Sequence, residues 1–210
     1  MSELNLTILP PPQRRLWDEL ACIPGDFVLY GGTAIALRLG HRESLDFDFS
    51  ARANIDPAQL IARVACLANC EPVQMDGNTL TARVDREGPV LLSFFGVPRL
   101  PVLRTPEQFD DPPLKIGDLL ELGGMTALVV QKRAEVKDYL DIHALLSGGY
   151  SLAELLAAAD FLYRPSFTPE LTLKSLCFFD DGNLALVPAG VRRDLMRAAR
   201  ACDPTRLATL

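Results

Sequence analysis

Two aspartates in the run Leu45-Asp46-Phe47-Asp48-Phe49-Ser50 carry the most legible chemistry of this chain. The run alternates with a period of two, so on a strand Asp46, Asp48 and Ser50 face one way and Leu45, Phe47 and Phe49 the other. Carboxylates ~7 Å apart on one strand face can converge on one or two hard cations. Mg²⁺, or Mn²⁺ in its place, suits such a pair. It keeps several waters and needs only one or two carboxylates beside the oxygens of a substrate phosphate. About 15 residues upstream, one short helix plus a turn away, lies Gly31-Gly32-Thr33. Glycines there have no Cβ to hold an anion off, and main-chain N–H groups at such a turn can cradle a phosphate.

The elements that must hold these two groups follow from the surrounding residues. Phe27–Tyr30 is an apolar run ended by glycines, which reads as a short buried strand. A tight turn at Gly31-Gly32 is then expected, with Thr33 as N-cap of a helix over Ala34–Leu39 that stops at Gly40. A polar turn, His41-Arg42-Glu43-Ser44, leads into the aspartate strand. Taken singly, a glycine pair or an Asp-x-Asp pattern is equally the mark of an ordinary turn and a solvated strand face. In this order the pieces favour a phosphate cradle beside a metal clamp.

The stretch GGTAIALRLGHRESLDFDF resembles the signature of the AbiEii-type nucleotidyltransferase toxins, a branch of the DNA polymerase beta nucleotidyltransferase superfamily. That signature has a Gly-Gly-Thr or Gly-Ser turn, a short helix, a His-Arg-x-Ser turn and Asp-x-Asp. The resemblance implies an α/β (α+β) nucleotidyltransferase fold: a small mixed sheet with flanking helices, followed by a mostly helical C-terminal part. It implies Asp46 and Asp48 as metal ligands and catalytic residues, Gly31, Gly32 and Thr33 as nucleotide-binding, and Arg42 and Ser44 as residues that steady the triphosphate or the aspartate pair.

A second block, DLLELGGMTALVVQKRAEVKDYLDIHALL, resembles the family's helical signature, which Arg133, Lys137, Asp138 and Asp141 match. The implied role of Lys137 and Asp141 is to close the pocket from the helical side. On a helix Arg133, Lys137 and Asp141 share one face, which is equally the pattern of a surface ladder of charge pairs contributing about 0.2–0.5 kcal/mol each. Two positions depart from the family. Its upstream Lys falls at Thr126 and the acid of a later strand at Ser93, and a hydroxyl supplies no charge in either place. Thr172–Gly182, TLKSLCFFDDG, also follows the family; Phe178 and Phe179 are expected in the core, and Asp180, Asp181 and Gly182 at a helix exit. Arg192, Arg193, Arg197 and Arg200 line part of a last helix and read either as a solvated face or as contacts to a phosphate backbone.

Other segments read as supporting structure. Gln13–Ile23 has the apolar spacing of an amphipathic helix through Leu16, Trp17, Leu20 and Ile23. Asp56-Pro57 should open a helix carrying Leu60, Ile61, Val64 and Leu67 inward, with Cys66 and Cys70 four apart on it. A hairpin is expected from Asn78–Val84 and Val90–Phe95, and residues 98–113 read as a proline-rich loop. Helices are expected over Asp118–Val130 and Arg133–Leu146.

At 210 residues, 49% hydrophobic and 23% charged, the chain has ordinary globular composition. The expected division is 1–113 as the α/β core with its N-terminal helix and 114–210 as the helical part. No run of about 18 apolar residues and no signal-peptide pattern is present, so no membrane association is expected. Five scattered cysteines without CxxC suit a reducing, cytoplasmic setting. A net charge of −6 argues against a general nucleic-acid coat protein. No P-loop, dinucleotide fingerprint or hydrolase triad exists. The expected activity is metal-dependent transfer of a nucleotidyl group from a nucleoside triphosphate to an acceptor hydroxyl, by kinship that of RNA or tRNA, with a separately encoded antitoxin as partner. The alternative is a catalytically weakened nucleotide-binding or partner-binding protein on the same scaffold.

Overall fold

The computed structural model describes residues 3–210. Among them the chain divides into two compact units, residues up to 100 with 105–117 and residues 101–104 with 118–210.

In the first unit, α1 (Pro11–Trp17) opens with prolines in its first turn, where a missing N–H costs nothing, and runs on into a 3₁₀ turn over Asp18–Cys22. Leu16, Trp17, Leu20 and Ile23 are all buried, as their spacing predicts. The strand β1 (Phe27–Tyr30) passes directly into α2 (Gly31–Leu39), which ends on Gly40 in the left-handed region. Next come β2 (Asp46–Ala51) and α3 (Pro57–Arg63), whose N-cap Asp56 accepts from the N–H groups of Ala58 and Gln59 at 3.0 and 3.2 Å. This helix stops short of Cys66 and Cys70. Cys66 lies in a 3₁₀ turn, Ala65–Leu67, that buries Leu67, and Cys70 precedes β3, so the helical spacing expected of that pair does not exist.

The strands β3 (Glu71–Asp76), β4 (Thr79–Asp85), β5 (Pro89–Gly96), β6 (Glu107–Asp110) and β7 (Pro113–Ile116) complete a seven-stranded sheet in the order β3-β4-β5-β2-β1-β7-β6. The β2/β5 and β1/β7 pairs are parallel and the rest antiparallel. The hairpin of β4 and β5 falls where expected. β3, β6 and β7 were not foreseen; the prolines of residues 98–113 read as loop, and they flank β6 without entering it. Pro72 lies in β3, an edge strand, where a proline breaks no ladder.

One face of the sheet is core. Phe47 and Phe49 of β2 are fully buried, and Phe94 stacks on Phe49 with ring centroids 5.5 Å apart and meets Phe27 edge-on at 5.3 Å. Burial of each such ring contributes on the order of 1.5–3 kcal/mol. Leu45, expected to face the same way, lies ahead of the strand and is 57% exposed.

The second unit is helical: α4 (Leu119–Val129), α5 (Val136–Ser147), α6 (Leu152–Tyr163), α7 (Pro169–Ser175) and α8 (Ala189–Ala201). Gly123 and Gly124 let α4 and α6 touch. A Cβ on Gly123 would lie 2.5 Å from Leu155 Cδ2, and one on Gly124 2.8 Å from the Ala158 main chain. The capping box of Ser151 and Glu154 opens α6. Among the described residues no single helix is long and apolar enough to cross a membrane.

Candidate active site

The aspartate pair and the glycines meet in the first unit. Alternate burial along β2 keeps Phe47, Phe49 and Ala51 inside and leaves Asp46, Asp48 and Ser50 on the other face. The antiparallel register sets Asp48 beside Tyr30, the last residue of β1. The next residue, Gly31, has φ +72, and a Cβ added there would lie 2.7 Å from Asp48 Oδ2. The carboxylate therefore packs on the bare α-carbon, and only glycine fits. No separate turn precedes the helix. Gly31 and Gly32 are themselves its first residues, so their N–H groups and that of Thr33 belong to the first turn, whose donors have no partner inside the helix. With the positive end of the helix dipole, these donors form an anion site next to Asp48.

Thr33 is not the N-cap; it is the third residue of α2 and buried. Its hydroxyl donates to the main-chain carbonyl of Asp46, a short contact, and lies 2.6 Å from the Ser44 hydroxyl. A hydroxyl has one proton to give, so Ser44 is the donor in the second bond. Thr33 and Ser44 thus tie the start of β2 to the start of α2, and Thr33 can meet a ligand only through its main-chain N–H. The signal missed in sequence was long-range: the partner of the Thr33 side chain is 13 residues away. Arg42, half-buried, donates to the Glu43 carbonyl at 2.9 Å.

Ser93 sits at the heart of this face. It is the register partner of Asp48 on β5, it is buried, and it accepts a long hydrogen bond from Thr81 at 3.4 Å. Where the family resemblance places an acid there is a hydroxyl directly beside Asp48. Among the described residues no group of three or more His, Cys, Asp or Glu side chains could hold a metal ion. The donor set is then Asp46 and Asp48, two carboxylates on one strand face with an anion site alongside. That set fits a Mg²⁺-type ion, whose remaining positions are filled by water and substrate oxygens.

The second-unit residues are arranged otherwise than the helix spacing predicted. α5 begins at Val136, so Arg133 precedes the helix and forms a bidentate pair with Asp138 at 2.8 and 2.9 Å. Lys137 pairs with Glu135 at 3.1 Å. Burial alone would raise the Glu135 carboxyl, but the hydrogen bond and charge of Lys137, helped by Arg133, outweigh it and hold that carboxyl below its usual value. Asp141 is 1% exposed, on the inner side of α5 with Ile142 and Leu145. Thr126 is buried, and its hydroxyl bonds back to the Leu122 carbonyl at 3.0 Å, so it does not stand in for a lysine. Phe179 is buried as expected, whereas Phe178 is exposed. Arg192 is structural: its guanidinium lies 5.4 Å from the Phe179 ring and donates to the Val187 carbonyl at 2.8 Å. Arg193, Arg197 and Arg200 share one exposed face of α8.

A mixed sheet with an acid pair beside a glycine-started helix, followed by a helical unit, is the architecture of a nucleotidyltransferase. Solved structures with the same fold include MenT4, a nucleotidyltransferase toxin of Mycobacterium tuberculosis H37Rv, with a TM-score of 0.62 at 17% identity over 89% of this chain and 80% of that one. A candidate nucleotidyltransferase from H. pylori aligns with a TM-score of 0.57 at 18% identity over 90% of both chains. The family described as "Nucleotidyl transferase AbiEii toxin, Type IV TA system" matches residues 22–111. An uncharacterized protein of Aquifex aeolicus, aq_aa25, is 31% identical over 162 residues, 76% of each chain. The chain belongs to the AbiEii nucleotidyltransferase toxin family and is by class a nucleotidyltransferase.

Proposed function

We propose that the protein transfers a nucleotidyl group from a nucleoside triphosphate to an RNA hydroxyl, tRNA included, as the toxin of a cytoplasmic toxin-antitoxin pair. The observation that carries this reading is the seat of the Asp48 carboxylate on Gly31, which joins an acid pair to a helix N-terminus. The main-chain N–H groups of Gly31, Gly32 and Thr33 hold the polyphosphate, and Arg42 adds charge at its edge. Asp46 and Asp48 hold Mg²⁺ or Mn²⁺; when bound, the ion supplies alignment of the triphosphate and neutralisation of the charge on its oxygens. Thr33 and Ser44 act as positioning residues that fix the start of β2 against α2. The acceptor oxygen forms a bond to the α-phosphorus. The bond from that phosphorus to the bridging oxygen breaks, pyrophosphate leaves with the electron pair, and the hydroxyl proton passes to water.

Purified protein with Mg²⁺ and labelled nucleoside triphosphates is expected to label cellular RNA, and the Asp46→Ala, Asp48→Ala double variant to lose at least about a hundredfold of that rate, as when a principal electrostatic contact is removed. Labelling that persists in the double variant overturns the reading. The Thr126 hydroxyl, closed on Leu122, and the neutral Ser93 favour a second reading, a nucleotide-binding protein with little turnover. Calorimetry separates the two: tight binding of a nucleotide with no transfer to total RNA selects the second.

A further inference from the structure

Asp46 lines a cavity of about 550 Å³, within the range of small-molecule pockets of roughly 300–1,000 Å³. Its other walls come from the segment ahead of and within α1, through Pro12 and Gln13, and from Leu45, Leu91 and Arg83. Strand register fixes the side on which it lies. Asp46 pairs with Leu91 on β5, and Leu91 pairs with Arg83 on β4, so both are on the β5 side of the acid. β1 and the glycines that follow it are on the opposite side.

Gln13 is 4% exposed, and its Nε2 donates to the Leu45 carbonyl at 2.7 Å. That bond fixes the amide, since the flipped form would set oxygen against oxygen. The Oε1 atom is left buried with no hydrogen-bond partner, a state that folded proteins seldom leave unanswered. Arg83 is held by Glu71 at 2.9 Å, but their side chains are 48% and 66% exposed, and such a surface pair yields readily to a phosphate.

We propose that this cavity receives the terminal nucleotide of the acceptor strand, with its phosphate on Arg83 and its base or ribose against the wall that holds Gln13. The inference rests on the nucleotidyl-transfer reading. In-line displacement places the attacking oxygen and the departing pyrophosphate on opposite sides of the α-phosphorus. With the polyphosphate on the glycines at the β1 side, the acceptor hydroxyl arrives from the β5 side, where the cavity is. Leu45, Leu91 and Pro12 give the nucleoside an apolar wall.

The test is binding of a short 5′-fluorescein-labelled single-stranded RNA with a free 3′ hydroxyl, followed by anisotropy in EDTA without triphosphate, so that no turnover is needed. Arg83→Ala is expected to weaken RNA binding about tenfold and to lower the slope of log affinity against log salt by about one, as for loss of one phosphate contact. Nucleoside triphosphate affinity in calorimetry is expected to change by less than about twofold. Leu91→Trp, which fills the cavity, should match Arg83→Ala at an unchanged melting temperature. Equal RNA binding by wild type and Arg83→Ala overturns the proposal, as does a wild type that does not bind RNA. A loss of triphosphate affinity instead of RNA affinity assigns the cavity to the nucleotide and also overturns it. The nucleotidyl-transfer reading fails by a different result, a wild type that transfers no nucleotide to RNA whether or not it binds one.

Discussion

Ser93 decides how many charges surround the aspartates. It is the register partner of Asp48 across a parallel pair, about 4.8 Å between strands, and its hydroxyl brings no charge. Ser93→Asp would set a like charge there, which destabilises the protein until a cation is bound. The melting temperature of this variant is expected to fall by about 2–4 °C, the size of a 1 kcal/mol change in a protein of this length. Millimolar Mg²⁺ should restore it more strongly than it raises the wild type. A variant indifferent to Mg²⁺ would place the ion elsewhere. The aspartates themselves were legible in sequence, because a period of two says which side chains share a face. The bracing role of Thr33 was not, since the same hydroxyl caps a helix or braces a distant strand according to a partner the local pattern does not reveal.

At the scale of elements, the junction of β1 and α2 makes the candidate site. The bounds of β1 and the end of α2 were readable from an apolar run and a terminal glycine, but not the start of α2 at Gly31, ahead of the Ala34 expected. A positive φ at Gly31 turns the chain into a helix at once, and Asp48 occupies the space a side chain would need. Gly31→Ala is expected to cost about 1–3 kcal/mol in urea unfolding, from backbone strain and displacement of Asp48, and to abolish transfer. Gly149→Ala, also at positive φ but with nothing within 4 Å of the added Cβ, isolates the backbone part. Equal stability of the two variants would remove the carboxylate from the glycine. Arg133 shows the opposite failure of local pattern. Four-residue spacing put it on a helix face with Lys137, whereas the helix starts after it and the arginine reaches Asp138, buried in its first turn.

For the whole molecule, the sheet explains why the sequence division at 113/114 and the contact division at 117/118 differ. β7, residues 113–116, lies alongside β1 at residues 27–30, and a parallel pairing across such a separation leaves no local mark. The pairing also orders events during synthesis. Until Ile116 has left the ribosome, β1 is an open border with unpaired main-chain groups, and the bend at its end is held from one flank only. A chain released after Asp111, just ahead of β7, should unfold at lower urea than the full protein and associate through that border, both measurable by fluorescence and light scattering. Completion of the first unit is thus timed by its last strand, and interrupted translation products carry Asp46 and Asp48 without the full sheet around them.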